Sequence, residues 1–275
     1  MGNQVREVEA GERFEFGRNW TRFLSSLDES QIESAVRSLQ TMLGITGLSG
    51  RSFLDAGSGS GLFSLAARRM GARVHSFDYD PHSVGCTQEL RRRYFADDPL
   101  WTVEEGSVLD RNYLDSLGRF DIVYSWGVLH HTGAMWQALD NVAPLVDQGG
   151  LLFIAIYNDQ GAWSRRWKAI KKLYNRTPRP LRFLISIPAF LKEYWRPMVK
   201  DFLMLRPFRF VRNYGGNRRG MTIWRDLIDW VGGYPFEVAT PGDLFDFYRA
   251  RGFRLEKLTT CGGSVGCNEL VLRKC

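Results

Sequence analysis

FLDAGSGSG, residues 53–61, is the stretch whose reading decides the fold. An apolar pair, Phe53-Leu54, runs into Asp55. Three glycines at alternate positions then separate it from LFSLAARRM (62–70), whose apolar residues recur at helical spacing and which Gly71 closes. A strand that turns into a helix through bare backbone makes a corner that a ligand can approach closely, because glycine has no Cβ. The spacing is G-x-G-x-G rather than the G-x-G-x-x-G that cradles a dinucleotide pyrophosphate.

The same alternation extends in both directions. Ile32, Val36, Leu39 and Leu43 mark a helix ahead of the first strand. Behind it come RVHSFDYD (73–80), a strand ending at Asp78, and a helix with Pro81 in its first turn, where a missing N–H is harmless. WTVEEGSV (101–108), FDIVYSW (120–126) and GGLLFIAIYN (149–158) read as further strands, with helices at RNYLDSL (111–117) and AMWQALDNVAPLV (134–146) between them. PGDLFDFYRARG (241–252) is one more helix, and FRLEKLTT (253–260) and CNELVLRK (267–274) are strands joined by the turn CGGSVG. Strand–helix alternation predicts a parallel sheet covered on both faces, and the final hairpin predicts two antiparallel strands. That ending is unlike the second half of a dinucleotide-binding domain.

Four of these segments, in order and each at a strand end, resemble the class I S-adenosylmethionine methyltransferases: FLDAGSGSGLFSLAA, HSFDYDP, EEGSVLD and FDIVYSWGVLHHT. The resemblance runs from Phe53 nearly to the C-terminus. It implies a Rossmann-like, doubly wound α/β sheet of seven strands ordered 3-2-1-4-5-7-6, strand 7 antiparallel, with a helical insertion after strand 5. It also implies S-adenosylmethionine as cofactor. By the same resemblance, Asp55 orders the loop, and Gly57, Ser58, Gly59 and Gly61 bring backbone to the methionine and ribose. Asp78 takes the ribose hydroxyls and Tyr79 lies against the adenine. Ser107 and the backbone of Val108 meet the adenine edge, and Ser125 and Trp126 end the strand that faces the transferred methyl. Asn19 and Trp20, in FEFGRNWTRF (14–23), would fold over the cofactor. The plainer alternatives are a loop-bracing Asp55, an Asp78 serving the following helix, and an aromatic staple around Trp20.

Methyl transfer from a sulfonium is mostly a matter of alignment, and a base is needed only where the acceptor carries a proton. His130 and His131, just past the fourth strand, are the candidate bases, with turn capping as the alternative. Tyr157 joins them on the carboxyl rim, where open α/β sheets bind ligands, and Asn158 beside it is a candidate for substrate contact. Within the family the nearest likeness is to the ubiquinone-biosynthesis-like small-molecule O-methyltransferases. Some of those carry metal-associated acids where this chain has Gly127 and His130, a departure that tells against both a metal and a quinone acceptor. No Cys/His ligand spacing occurs and no metal is expected.

The net charge of +7 is unevenly spread. Residues 160–225 hold 17 Lys/Arg against Glu193 and Asp201, about +15, which leaves about −8 on the remainder. The connection after the fifth strand, 159–240, is far too long for a bare loop and interleaves aromatic with basic residues. It reads as a helical lid forming part of the substrate site, inserted into a cofactor-binding domain of 1–158 and 241–275 whose first 50 residues form a cap. RDLIDWVGGYPFE (225–237) combines polar and aromatic groups around Gly232-Gly233, which are read as positions of positive φ. Asp229, Trp230, Tyr234 and Glu237 are accordingly the substrate-site candidates. The basic helices would meet a membrane surface, phosphates of nucleic acid or only solvent. Nucleic acid is the weaker partner, because the [DNS]-P-P-[YFW] motif of base methyltransferases is absent. With four cysteines at no paired spacing, no apolar leader and no spanning run, the expected setting is cytoplasmic, with peripheral membrane contact open to residues 160–225. The expected activity is methyl transfer to a small or lipid-like acceptor, at oxygen first. The alternatives are an RNA-binding or RNA-modifying methyltransferase and a cofactor-binding protein without turnover.

Overall fold

The computed structural model describes residues 3–206, 209–213, 223–263 and 266–275. The chain runs α1 (Asn3–Glu9), α2 (Gly17–Leu24), α3 (Glu29–Leu43), β1 (Ser52–Ala56), α4 (Leu62–Arg69), β2 (Arg73–Asp78) and α5 (Pro81–Tyr94). It continues through β3 (Trp101–Glu105), α6 (Arg111–Leu117), β4 (Phe120–Trp126), α7 (Met135–Val142) and β5 (Val146–Tyr157). Among the described residues four helices follow, α8 (Ala162–Arg176), α9 (Phe183–Leu203), α10 (Arg209–Asn213) and α11 (Ile223–Gly232), before α12 (Pro241–Arg249), β6 (Phe253–Thr259) and β7 (Cys267–Lys274).

The seven strands lie in the order β3-β2-β1-β4-β5-β7-β6. All neighbours from β3 to β5 are parallel, and β7 is antiparallel to both β5 and β6. This is the expected topology, and it puts the carboxyl ends of β1, β2, β4 and β5 on one rim. α3, α4 and α5 cover one face around Ile32, Leu65, Leu90 and Phe153; α6, α7 and α12 cover the other around Leu114, Leu139, Leu152 and Tyr248. A third apolar cluster forms within the inserted helices, around Trp167, Leu227, Val231 and Phe236. Phe14 from the N-terminal segment completes it.

Local chemistry sets the element ends. α3 starts three residues before Ile32, because Asp28 accepts the Gln31 amide and Gln31 answers with its side chain on the Asp28 amide. Such a box contributes about 1 kcal/mol. β3 stops at Glu105, short of the expected Val108. There the Gly106 amide turns back to the Asp78 carbonyl, and Ser107 Oγ accepts the Leu109 amide, winding the chain into a turn.

Candidate active site

The glycine turn stands at the end of β1 with Gly57, Gly59 and Gly61 all at positive φ (88°, 55° and 79°). The Phe77 carbonyl accepts the amides of both Gly57 and Ser58, tying the turn to β2. A Cβ at Gly57 would overlap the methyls of Val128, and one at Gly61 would lie 2.8 Å from Thr87 Cα, so the turn has no room for a side chain. Ser58 Oγ is spent on Thr87 Oγ1 at 2.9 Å.

Asp55 is 1% exposed and faces inward. It accepts Ser64 Oγ at 2.5 Å, the first link of a buried chain that continues through Ser76 Oγ to the Trp101 indole. Burial pushes its carboxyl up to about 7, with Asp78 adding to the effect and the Ser64 hydrogen bond opposing it. Its contacts therefore brace α4 against the sheet. Asp78, at the tip of β2, accepts the Gly59 amide on Oδ2 and the Asp80 amide on Oδ1, both at 2.9 Å. Burial raises it to about 6 against those hydrogen bonds.

The N-terminal segment covers this side. Trp20 of α2 puts its indole against Gly59, where an added Cβ would meet Nε1 at 3.3 Å. Asp80 accepts the Gly17 amide, which anchors the start of α2. The Arg13 guanidinium lies 5.0 Å from the centre of the Tyr79 ring, and the Tyr79 hydroxyl donates to Glu7. The same Arg13 donates to the His131 carbonyl at 2.8 Å. The Asn19 side chain lies outside the described residues. Val108 is buried, and its carbonyl accepts Asn141 Nδ2. Ser125 is fully buried and donates to the Ala56 carbonyl, and Trp126 reaches across to Glu269 on β7. The polar atoms of both strand-end residues are thus engaged within the sheet.

On the other side of the rim the inserted helices meet β4 and β5. A single 3₁₀ turn after β4 carries His130 and His131, with ring centres 4.4 Å apart. Tyr157 packs on His130 at 4.1 Å, and Trp230 and Phe236 each lie 5.4 Å from Tyr157. His131 Nδ1 sits 2.6 Å from the Pro235 carbonyl. A carbonyl only accepts, so Nδ1 carries the proton and Nε2 keeps its lone pair. Burial holds His131 down at about 3 and His130 well below its usual value, so both rings are neutral at pH 7. The Tyr157 amide faces His130 Nδ1 at 3.4 Å, while His130 Nε2 is buried without a hydrogen-bond partner. Trp230 Nε1 is a second buried atom in that state. Burial also lifts the Tyr157 hydroxyl well above its normal range.

The group that sequence reasoning missed is Lys171, with 0% of its surface exposed. Its ammonium nitrogen donates to the Trp230 carbonyl and lies 4.0 Å from the Trp230 ring centre and 4.8 Å from that of Phe236. Burial drives its pKa well below the normal lysine value, against the nearby charge of Asp229. One signal was present: Lys171 follows Trp167 by four positions and precedes Tyr174 by three, so it falls on the apolar stripe of α8.

Other candidates fall around this box. Asn158 Oδ1 accepts Asn268 Nδ2 at 3.0 Å, at the seam where β5 leaves the sheet. The Asp229 carbonyl accepts the Gly233 amide. Glu237 accepts the Met135 amide, and its own amide donates to the His130 carbonyl. Tyr234, Pro235 and Glu237 line a cleft of about 310 Å³ together with Lys168, Lys172 and Arg176, three cations at four-residue steps along α8. One expectation is corrected: Gly232 and Gly233 do not have positive φ. Gly232 is the last residue of α11, and what the pair supplies is space. A Cβ at Gly232 would overlap Phe14, and one at Gly233 would lie 3.0 Å from His131 Cε1.

Comparison with known proteins bears on this arrangement. Residues 27–195 match the methyltransferase-domain family. A ubiquinone biosynthesis O-methyltransferase of Rhizobium leguminosarum bv. trifolii is 30% identical over 111 residues, 40% of this chain and 42% of that protein. The chain thus spans less than half the length of that curated relative. Among solved structures, magnesium protoporphyrin IX methyltransferase of Synechocystis PCC 6803, with bound SAH, aligns over 90% of this chain and 83% of its own. The TM-score is 0.50 and the identity 17%. The [4+2]-cyclase SpnF aligns over 88% and 80%, with a TM-score of 0.54 and 12% identity. The last two show a shared fold. The family match covers more than half of the chain, which belongs to the methyltransferase-domain family.

Proposed function

We propose that this chain is an S-adenosylmethionine-dependent methyltransferase acting on a small molecule that presents an oxygen nucleophile, in an acceptor site between the rim of β4 and β5 and the inserted helices 159–240. The turn Gly57–Gly61 and the Asp78 carboxylate fit the cofactor: Gly57, Gly59 and Gly61 present backbone without a Cβ, and a carboxylate stands at the end of β2. When bound, S-adenosylmethionine supplies an electrophilic methyl on a sulfonium. In this reading Gly57–Gly61 and Asp78 hold the cofactor, and displacement of Trp20 and Arg13 opens their surface.

The observation that carries the acceptor reading is the box of neutral, apolar-packed rings at the rim, with His130 Nε2 buried and without a hydrogen-bond partner. Buried polar atoms in that state mark places where a ligand completes the hydrogen bonding. Rings of such low basicity are poorly matched to an ammonium acceptor that must first be stripped of its proton. They suit an oxygen that arrives ionised or is readily ionised. The cations of the neighbouring cleft, Lys168, Lys172 and Arg176, favour that anionic form. His131 Nε2 is the atom available to take a residual proton, and its Nδ1–H stays fixed on Pro235.

The reading is tested with methyl-labelled S-adenosylmethionine and a panel of phenols, carboxylic acids and amines. Label on oxygen is expected, with turnover reduced about tenfold or more in His131→Gln. Label carried only on amines would overturn the oxygen reading. Label found in RNA and in none of the small acceptors would overturn the small-molecule reading.

A further inference from the structure

The longest inserted helix turns one face to solvent that its composition does not explain. Along α9, Leu184, Ile187, Leu191, Trp195 and Val199 recur at three- and four-residue steps and are 45–59% exposed. Phe202, Leu203 and Leu205 extend the stripe at 74%, 75% and 90%. This is not a core face turned outward, because the other side of α9 is already used. Ser186 and Ala189 are buried there, and Ile185, Phe190 and Tyr194 pack into the cluster of Trp167 and Phe236. A helix of 21 residues is about 30 Å long, so the outer stripe is larger than the scattered apolar residues of ordinary surfaces.

The charges around the stripe are one-sided. Lys192, Arg196 and Lys200 follow one flank at four-residue steps, all exposed, and Arg206 and Arg209 continue beyond the helix end. The two acids of α9, Glu193 and Asp201, are half-buried, and Asp201 is held by the Phe210 amide. Beside the flank, Trp163 of α8 is 49% exposed and carries Lys192 Nζ 4.2 Å above its ring. Indoles at an apolar–charged boundary match the amphipathic depth of a lipid headgroup layer.

We propose that α9 lies in the plane of an anionic lipid bilayer, with Leu184, Leu191, Trp195 and Phe202 among the acyl chains and Lys192, Arg196 and Lys200 on the headgroup phosphates. Charge complementarity selects this occupant. A second copy of the chain would set the same cations against one another, with no exposed acid of α9 to pair with them. Nucleic acid would satisfy the cations, but Leu184, Ile187, Leu191 and Val199 offer its bases no ring to stack on. The helix lies on the membrane rather than across it: no helix among the described residues is long and apolar enough to cross. This inference is independent of the acceptor and of the atom methylated.

The test is co-sedimentation of the full chain with vesicles of phosphatidylcholine plus phosphatidylglycerol, and with phosphatidylcholine alone. Binding is expected to the anionic vesicles and to be mostly lost in about 0.5 M salt. Leu191→Glu with Trp195→Glu should weaken it about tenfold or more, and Lys192→Gln with Arg196→Gln and Lys200→Gln by a smaller factor. Both variants should keep wild-type affinity for S-adenosylhomocysteine by calorimetry, which shows that they fold. Three results would overturn the proposal: no binding to anionic vesicles, equal binding by the Leu191/Trp195 variant, or a lipid-indifferent dimer that this variant dissociates.

Discussion

The two sides of the sheet's carboxyl rim treat polar atoms in opposite ways. On the β1–β2 side three buried groups are satisfied locally: Asp55 by Ser64, Asp78 by two amides, and Ser125 at the end of β4 by the Ala56 carbonyl. On the insertion side a lysine is enclosed by rings, with a single carbonyl for a partner, and His130 Nε2 and Trp230 Nε1 have none. Closed networks hold a shape, and this shape is the one the fold shares. Unsatisfied buried groups cost stability, so their retention points to the work of the site.

The sharpest way to break this contrast is to fill the turn. Gly57→Val places a side chain at φ 88° on top of Val128, and S-adenosylhomocysteine binding should fall about a hundredfold or more by calorimetry. Unchanged affinity would show that the turn is not the cofactor's seat. The corresponding test on the other side is Lys171→Met. The folded-state pKa of this lysine is depressed, so the unfolded chain takes up a proton that the native protein refuses, and stability is lost as pH falls below the ordinary lysine range. Methionine removes that penalty. We expect a gain of roughly 1–4 kcal/mol at pH 7 in denaturant unfolding, smaller at pH 10, with turnover reduced. A loss of stability at pH 7 would make Lys171 an ordinary structural residue.

A smaller effect follows from Asp78. Its carboxyl sits at about 6, so a ribose held by the ionised form should bind more weakly as pH falls below that value, by at most about tenfold per pH unit. Asp78→Asn should flatten the profile. For stability the sign is reversed: raised carboxyl pKa values favour the folded state at low pH, and that contribution fades as pH rises through about 4 to 6. The smallest effect is expected at Ser125→Ala, about 1 kcal/mol of stability from one buried hydrogen bond, with cofactor affinity unaltered. A large loss of affinity there would return Ser125 to the cofactor's immediate surroundings.

Strand order and the glycine corner could be read in advance because each rests on short-range signals, namely apolar period, alternate glycines and an acid at a strand end. The insertion side was harder for two physical reasons. Lys171 is one of 17 basic residues between 160 and 225, and beyond its spacing from Trp167 and Tyr174 it is tertiary packing that separates it from the solvated ones. Gly232-Gly233 were misread because glycine serves two purposes, unusual φ and close approach, and a sequence does not say which. Trp20 lies against Gly59 of the turn, while the bond from Arg13 to the His131 carbonyl has no local signature in the sequence.

The position of β7 bears on how the chain is made. β7 is inserted between β5 and β6, and Asn158 at the end of β5 meets Asn268 of β7, 110 residues later. During synthesis β5 therefore remains an open edge while the whole of α8, α9 and α11 is being produced, greasy outer stripe included. For those seconds the nascent protein shows an unpaired strand and an apolar helix together, the combination most prone to mispairing. Slowed translation before residue 267, or a shortage of chaperone, should thus appear as insoluble product long before any effect on the finished protein.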